Sequence, residues 1–277
     1  MRRVALVTDS TADIPQELVA AYQINVVPTI LVLNGQSLED GPDISREEFY
    51  RQLPTLKTLP STASPSAGAY MEAYDRLLSN GCDQVVSIHL SSTLSGSINI
   101  ARTGAQIFNG RVHHVDSGQL SMGIGFQVLA AAEAAHRGAH LEDVLAAADE
   151  IRSRIRVVAM LSTLEYVRRS GRLSWTQASV GEVLQLKPFI TLRNGVPSRY
   201  GEARSRQKGI QRLYQLLTDL GPLERLAVLH SNPDSDARLM ASNFSAQTSQ
   251  PPLVVQVTPV IGTHVGPNGL GFAAVVQ

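Results

Sequence analysis

The 277-residue sequence predicts an α/β fold in two domains, the first on a parallel sheet and the second on a mixed one. Three observations carry that prediction. Over residues 1–155, short β-branched runs alternate with helical patterns at the spacing of βαβ units. After about residue 156 the alternation breaks, and "KPFITLRNGVPSRYGEAR" reads as a hairpin about Asn194-Gly195, the strongest turn signal in the chain. The charge divides too. Residues 1–150 hold nine basic and seventeen acidic groups, whereas residues 151–210 hold ten Arg, two Lys and three Glu, a net charge of +9. The expected domains are 1–155 and 156–277.

Taken in order, "RRVALVTD" is a buried strand ending in a polar turn. The segment "DSTADIPQELVAAY" is a helix, with Asp13 as N-cap and Pro15 in its first turn. "INVVPTILVL" supplies one or two strands. "DISREEFYRQL" is a helix capped by Asp43 or Ser45, with Glu47 and Glu48 against the dipole. "SPSAGAYMEAYDRLLSNG" is a helix stopped by Asn80-Gly81. Then come strand "QVVSIHL", the turn and helix "STLSGSINIARTGAQIF", strand "RVHHVDS", and helices "QLSMGIGFQVLAAAEAAHRG" and "LEDVLAAADEIRSRI". In the second half, "VVAMLST" is a strand, "LEYVRRSGRLS" a short helix and turn, and "TQASVGEVLQL" a helix. The hairpin follows, then helix "SRQKGIQRLYQLLTDLG", strand "ERLAVLHS", helix "DSDARLMASNFSAQ", strand "PLVVQVTPV", a Gly-rich loop "GTHVGPNGLG" and a last strand.

Composition closes several doors. A net charge of zero argues against nucleic acid as the main partner. The single Cys82 rules out an internal disulfide framework. "MRRVALVTDS" is too short an apolar run for a signal peptide, and no stretch approaches 18 apolar residues, so a cytoplasmic location is expected. There is no G-x-x-x-x-G-K-[ST] and no G-x-S-x-G, and "GIG" at 123–125 lacks the third Gly of a dinucleotide fingerprint. Of the seven His, only His136 and His140 have ligand-like spacing, with no acidic residue in "HRGAH"; no metal is expected.

What remains is a set of anion-binding features. In a parallel α/β sheet, ligands sit beyond the carboxyl ends of the strands. Here those ends are hydroxyl-rich: Ser10 in "TDST", Ser92 and Ser95 in "SSTLSGS" (91–97), and "VDSGQLS" (115–121). "STASPS" (61–66) and "SSTLSGS" each open a helix, where free N–H groups and hydroxyls suit a carboxylate or phosphate. Each is also an ordinary capping sequence, yet nine hydroxyls exceed what two helix starts need. His264, read as part of a Gly/Pro loop with little core to pack on, suits the same anion. The clusters "RRSGR" and "RSRQK", with Arg169, Arg172, Arg204 and Arg206, could grip phosphate bidentately or form a solvated surface.

Seven stretches in order resemble the DegV family of bacterial fatty-acid-binding proteins over nearly the whole chain: "VTDSTADIP", "TASPS", "SSTLSGS", "VDSGQLSMGIG", "LEYVRRSGRLS", "LKPFITLRNG" and "GTHVGPNGLG". The resemblance implies a three-layer α/β/α domain and a second domain with a mixed sheet, with a long-chain fatty acid in a tunnel between them. It implies that Thr62, Ser95 and His264 hold the carboxylate; Gly96 is expected to join Ser95 there, with Ser10, Ser92 and Gly266 as candidate supports. It further implies a carrier without catalytic residues, metal or cofactor of its own. A dihydroxyacetone-kinase-like fatty acid kinase would bring ATP and magnesium and make acyl phosphate for phospholipid synthesis, with the four Arg as candidate contacts. Transient membrane contact stays open. Two alternatives accompany this reading: an acyl hydrolase using Ser95 and His264, and a small-anion-binding regulator. Where the family usually has "HVGPG" this chain has "HVGPN", and Asn268 is a residue that tolerates left-handed backbone angles.

Overall fold

The computed structural model describes residues 3–172 and 186–277. The helix expected over "TQASVGEVLQL" falls almost entirely outside them. The chain divides into two compact units, Met1–Ile30 with Ala63–Arg154, and Leu31–Thr62 with Ile155–Gln277. The expected division, 1–155 and 156–277, has no counterpart to the second unit's early segment.

The first unit holds a four-stranded, all-parallel sheet. Its strands are β1 (Val4–Asp9), β2 (Asn25–Val27), β6 (Gln84–His89) and β7 (Val112–Asp116), in the order β2-β1-β6-β7. β1 is buried throughout, which is why "VALVTD" lacks the polar alternation of a half-exposed strand. Helices α3 (Ala67–Ser79) and α4 (Ser97–Gly104) cover the face carrying Ala5, Val7 and Val85, through fully buried Tyr70 and Tyr74. They pack so closely that a Cβ at Gly104 would lie 2.5 Å from the Ala67 carbonyl. Helix α5 (Met122–His136), apolar on nearly every side, lies against β1 and β6, with α6 (Leu141–Arg152) outside it. α1 (Gln16–Ala21) begins after Pro15, not after Asp13. Asp13 takes a left-handed φ of 55° at the end of a 3-10 turn, and its carboxylate accepts the Ser121 hydroxyl at 2.5 Å. The expected cap is thus replaced by a tertiary bond.

The second unit is built on a mixed sheet of β8 (Ile155–Met160), β9 (Lys187–Arg193), β10 (Val196–Ala203), β11 (Leu223–His230), β12 (Leu253–Gln256) and β13 (Leu270–Val276), ordered β10-β9-β8-β13-β11-β12. β11 and β12 pair in parallel, and the other neighbours in this order pair antiparallel. Asn194 (φ 51°) and Gly195 (φ 80°) close the β9–β10 hairpin with the two left-handed residues a type I′ turn needs. Helices α8 (Arg206–Asp219) and α9 (Ser235–Phe244) bury Leu213, Leu217, Met240 and Phe244 against the sheet. The early segment brings a small sheet, β4-β3-β5 (Gln36–Glu39, Ile30–Leu33, Ser61–Ala63), and helix α2 (Arg46–Gln52), capped by Ser45 through the Glu48 amide. The unit also holds α7 (Glu165–Ser170) and α10 (Pro259–Val265). Among the described residues, no helix is long and apolar enough to cross a membrane.

Candidate functional site

His264 stands in the last turn of a helix, not in the Gly-rich loop expected. Thr258 in extended backbone and Pro259 at the first helical position start α10, whose residues Pro259–Thr263 are all buried. Gly262 is an interior contact point: a Cβ there would lie 2.5 Å from the Tyr50 hydroxyl and 2.7 Å from the Phe49 ring. The Tyr50 hydroxyl donates to the Val257 carbonyl at 3.1 Å. Glycine therefore lets α10 lie directly on α2. The helix ends at Gly266, whose φ of 72° and ψ of −179° form a conformation open essentially to glycine alone.

Ser231, which the sequence does not single out, and Arg206, expected as a phosphate or kinase contact, hold the turn beyond it. The Ser231 hydroxyl donates to the Gly266 carbonyl and accepts from the Gly269 amide, both at 2.7 Å. Arg206 donates to the Asn268 carbonyl at 2.6 Å. Asn268 adopts φ 62°, the left-handed geometry anticipated for it. A Cβ at Gly266 would also collide with the Tyr166 ring. Gly266→Ala should therefore cost at least the 1–3 kcal/mol typical of a strained backbone position, roughly, read by thermal denaturation. An unchanged melting temperature would show that the turn relaxes freely.

His264 Nε2 lies 3.0 Å from Thr62 Oγ1, while its Nδ1 is buried with no hydrogen-bond partner among the described residues. Burial, and then the positive charge of Arg172, push the imidazole down to about 4. At neutral pH the ring is uncharged, with one N–H donor and one acceptor. Thr62 and His264 thus form a neutral hydrogen-bonding pair with unused capacity, suited to an anionic oxygen.

The first unit carries a second hydroxyl group of its own. Ser95 Oγ lies 2.8 Å from Ser97 Oγ and 3.2 Å from Ser64 Oγ, and Ser97 donates to Ser64 at 3.0 Å. The Ser97 amide also donates to Ser95 Oγ at 3.2 Å. Gly96 caps α4 with open space where a Cβ would be. The serines of "STASPS" thereby separate: Ser66 caps α3 through the Ala69 amide, and Ser64 joins the triangle. No local signal in the sequence distinguishes them. Ser10 is bound to Thr29 at 2.6 Å, and the Ser92 amide faces the Asp116 carboxylate at 3.3 Å, so both are engaged within the fold.

The four arginines separate as well. Arg169 pairs with Glu165 at 2.8 Å on α7, and Arg172 donates to the Ser170 carbonyl at 2.5 Å. Arg206 is held by Asp236 at 2.6 Å. Arg204 is exposed. A Ser–His–Asp array does exist, but elsewhere. Ser87 Oγ is 2.7 Å from His89 Nε2, and His89 Nδ1 is 3.4 Å from Asp9 Oδ2. All three residues are 0% exposed, and Tyr74 reaches Ser87 at 2.9 Å, so the array is sealed in the core and is structural.

Comparison with known proteins extends the geometry. A family model described as "DegV: Uncharacterised protein, DegV family" matches residues 3–277. Protein DegV of Bacillus subtilis is 33% identical over 275 residues, covering 97% of this chain and 98% of the relative. Two solved structures superpose closely. A DegV family protein from Thermus thermophilus, described for its fatty acid binding, has a TM-score of 0.90 at 32% identity over 99% of this chain and 100% of that one. DegV from Bacillus subtilis, described as a fatty acid binding protein, has 0.88 at 30% identity over 100% of both.

Proposed function

Because the chain belongs to the DegV family, we propose that it binds a long-chain fatty acid and presents the carboxylate to a separate ATP-dependent kinase, yielding acyl phosphate for phospholipid synthesis. The observation that carries the first half is that two structures similar in fold and at 30% and 32% identity are described as fatty acid binding. In this reading Thr62 and His264 hydrogen-bond the carboxylate, and Ser95 with Gly96 supply further donors. A buried chain of about fifteen methylenes at ~0.8 kcal/mol each gives ~12 kcal/mol before the cost of association, so the alkyl tail dominates affinity and the head group fixes register.

The kinase half rests on chemistry. Phosphoryl transfer needs a nucleotide and a metal positioned together, and a dihydroxyacetone-kinase-like partner would bring both. Arg169 and Arg172 are the proposed contacts to it. Arg204 and Arg206 are further candidates for that contact; Arg206 is paired with Asp236 as Arg169 is with Glu165, and Arg204 also borders a groove on β10 and α8.

Denaturing extraction of the purified protein, followed by mass spectrometry, should release fatty acid at close to one per chain. A protein that emerges empty and also ignores added palmitate overturns the reading. Ester hydrolysis lost in Ser95→Ala would replace it with the hydrolase.

A further inference from the structure

A cavity of about 430 Å³ opens between β10 and the first turns of α8. It is closed beneath by Phe189 and Leu216, both buried, and bordered by the Tyr200 ring. Three cations line it: Arg204, Lys208 and Arg212. They are spaced four residues apart, so Lys208 and Arg212 share one helix face, where like charges at this spacing repel. Lys208 also lies in the first turn of α8, the positive end of the helix dipole, and that turn has no acidic residue. Arg206 shows how the fold neutralises such a charge: Asp236 sits 2.6 Å away. Among the described residues, no carboxylate pairs with Arg204, Lys208 or Arg212. The one acidic residue on the cavity wall, Glu202, is paired with Arg199.

The arrangement is electrostatically unfavourable for the empty protein, and a concave wall concentrates its field. Three converging cations suit a dianionic head with several oxygens better than a single carboxylate. The volume is that of a small-molecule site, and its floor is apolar. We propose that this groove binds a phosphate monoester, its phosphate held by Arg204, Lys208 and Arg212 and its apolar body lying over Phe189, Leu216 and Tyr200.

Calorimetric titration of the full-length protein with 1-naphthyl phosphate at low ionic strength tests this, with inorganic phosphate as the head group alone. Saturable one-to-one binding is expected, with inorganic phosphate clearly weaker. Replacing Lys208→Gln and Arg212→Gln together should weaken naphthyl phosphate by about tenfold or more, since charge-assisted hydrogen bonds are lost. The same charge change at exposed Arg51→Gln and Arg76→Gln should leave it intact. Circular dichroism melts verify that both double variants fold, and neither pair lies in the core. The proposal falls if binding does not saturate at millimolar ligand, if the control pair loses as much, or if inorganic phosphate binds equally well. A polyglutamate peptide that binds more tightly than naphthyl phosphate would also overturn it, because the groove would then be a surface for acidic protein.

Discussion

Fatty-acid affinity should fall about tenfold to a hundredfold in His264→Ala, the effect of losing a hydrogen bond to a charged group, ~1.5–3 kcal/mol. The same ring makes a second measurement possible. Burial and Arg172 hold His264 at about 4 in the folded protein, against about 6.5 for an unfolded histidine. A folded value below the unfolded one means that the unfolded chain takes up the proton first. The contribution to stability is present above pH 6.5 and is lost as the pH falls toward 4, amounting to something on the order of 3 kcal/mol. His114, also pushed down to about 4 by its own burial, acts in the same direction. The difference between wild type and His264→Gln therefore isolates the His264 share. A bound carboxylate would raise the imidazole again, so fatty-acid binding between pH 4 and 6.5 should take up protons. Calorimetry in buffers of differing ionisation enthalpy reads that uptake. Unchanged affinity in His264→Ala, with no proton uptake in wild type, would place the carboxylate elsewhere.

His89→Ala should destabilise the protein by about 3–5 kcal/mol, the range for removing one member of a buried polar pair. His89 is wholly buried between Asp9 and Ser87, edge-on to Tyr70 and stacked on His114 at 6.2 Å. Without it, the Asp9 carboxylate keeps, among the described residues, its Thr11 donors alone, and the Ser87–Tyr74 pair loses its continuation. Ser87→Ala removes one neutral partner and should cost less, about 1–2 kcal/mol. Urea denaturation followed by far-ultraviolet circular dichroism compares the two. A His89→Ala loss no larger than that of Ser87→Ala would mean that Asp9 is satisfied without the imidazole.

Much of the architecture was legible because it is written in local chemistry. Ser45, one of the two caps its sequence offers, starts α2, and Asn194-Gly195 turns the hairpin. What failed was decided by distant contacts. Asp13 looks like a cap, but it answers to Ser121, more than a hundred residues away. The turn around His264 looked like a flexible loop because a glycine chosen for close packing cannot be told, by spelling alone, from one chosen for backbone freedom. Gly262 is the first kind and Gly266 is both. Family resemblance named Thr62 and His264 as carboxylate contacts, and their hydrogen bond to each other comes from the structure. Ser64 and Ser231, which have no distinguishing local pattern, emerged only from the packed structure.

The bare Cα face of Gly262 against Phe49 and Tyr50 ties two distant stretches of sequence into one unit of exchange. A chimaera that imports residues 31–62 from a relative must import the C-terminal helix as well. Otherwise the two ridges would arrive with mismatched relief, and the histidine would be carried out of register.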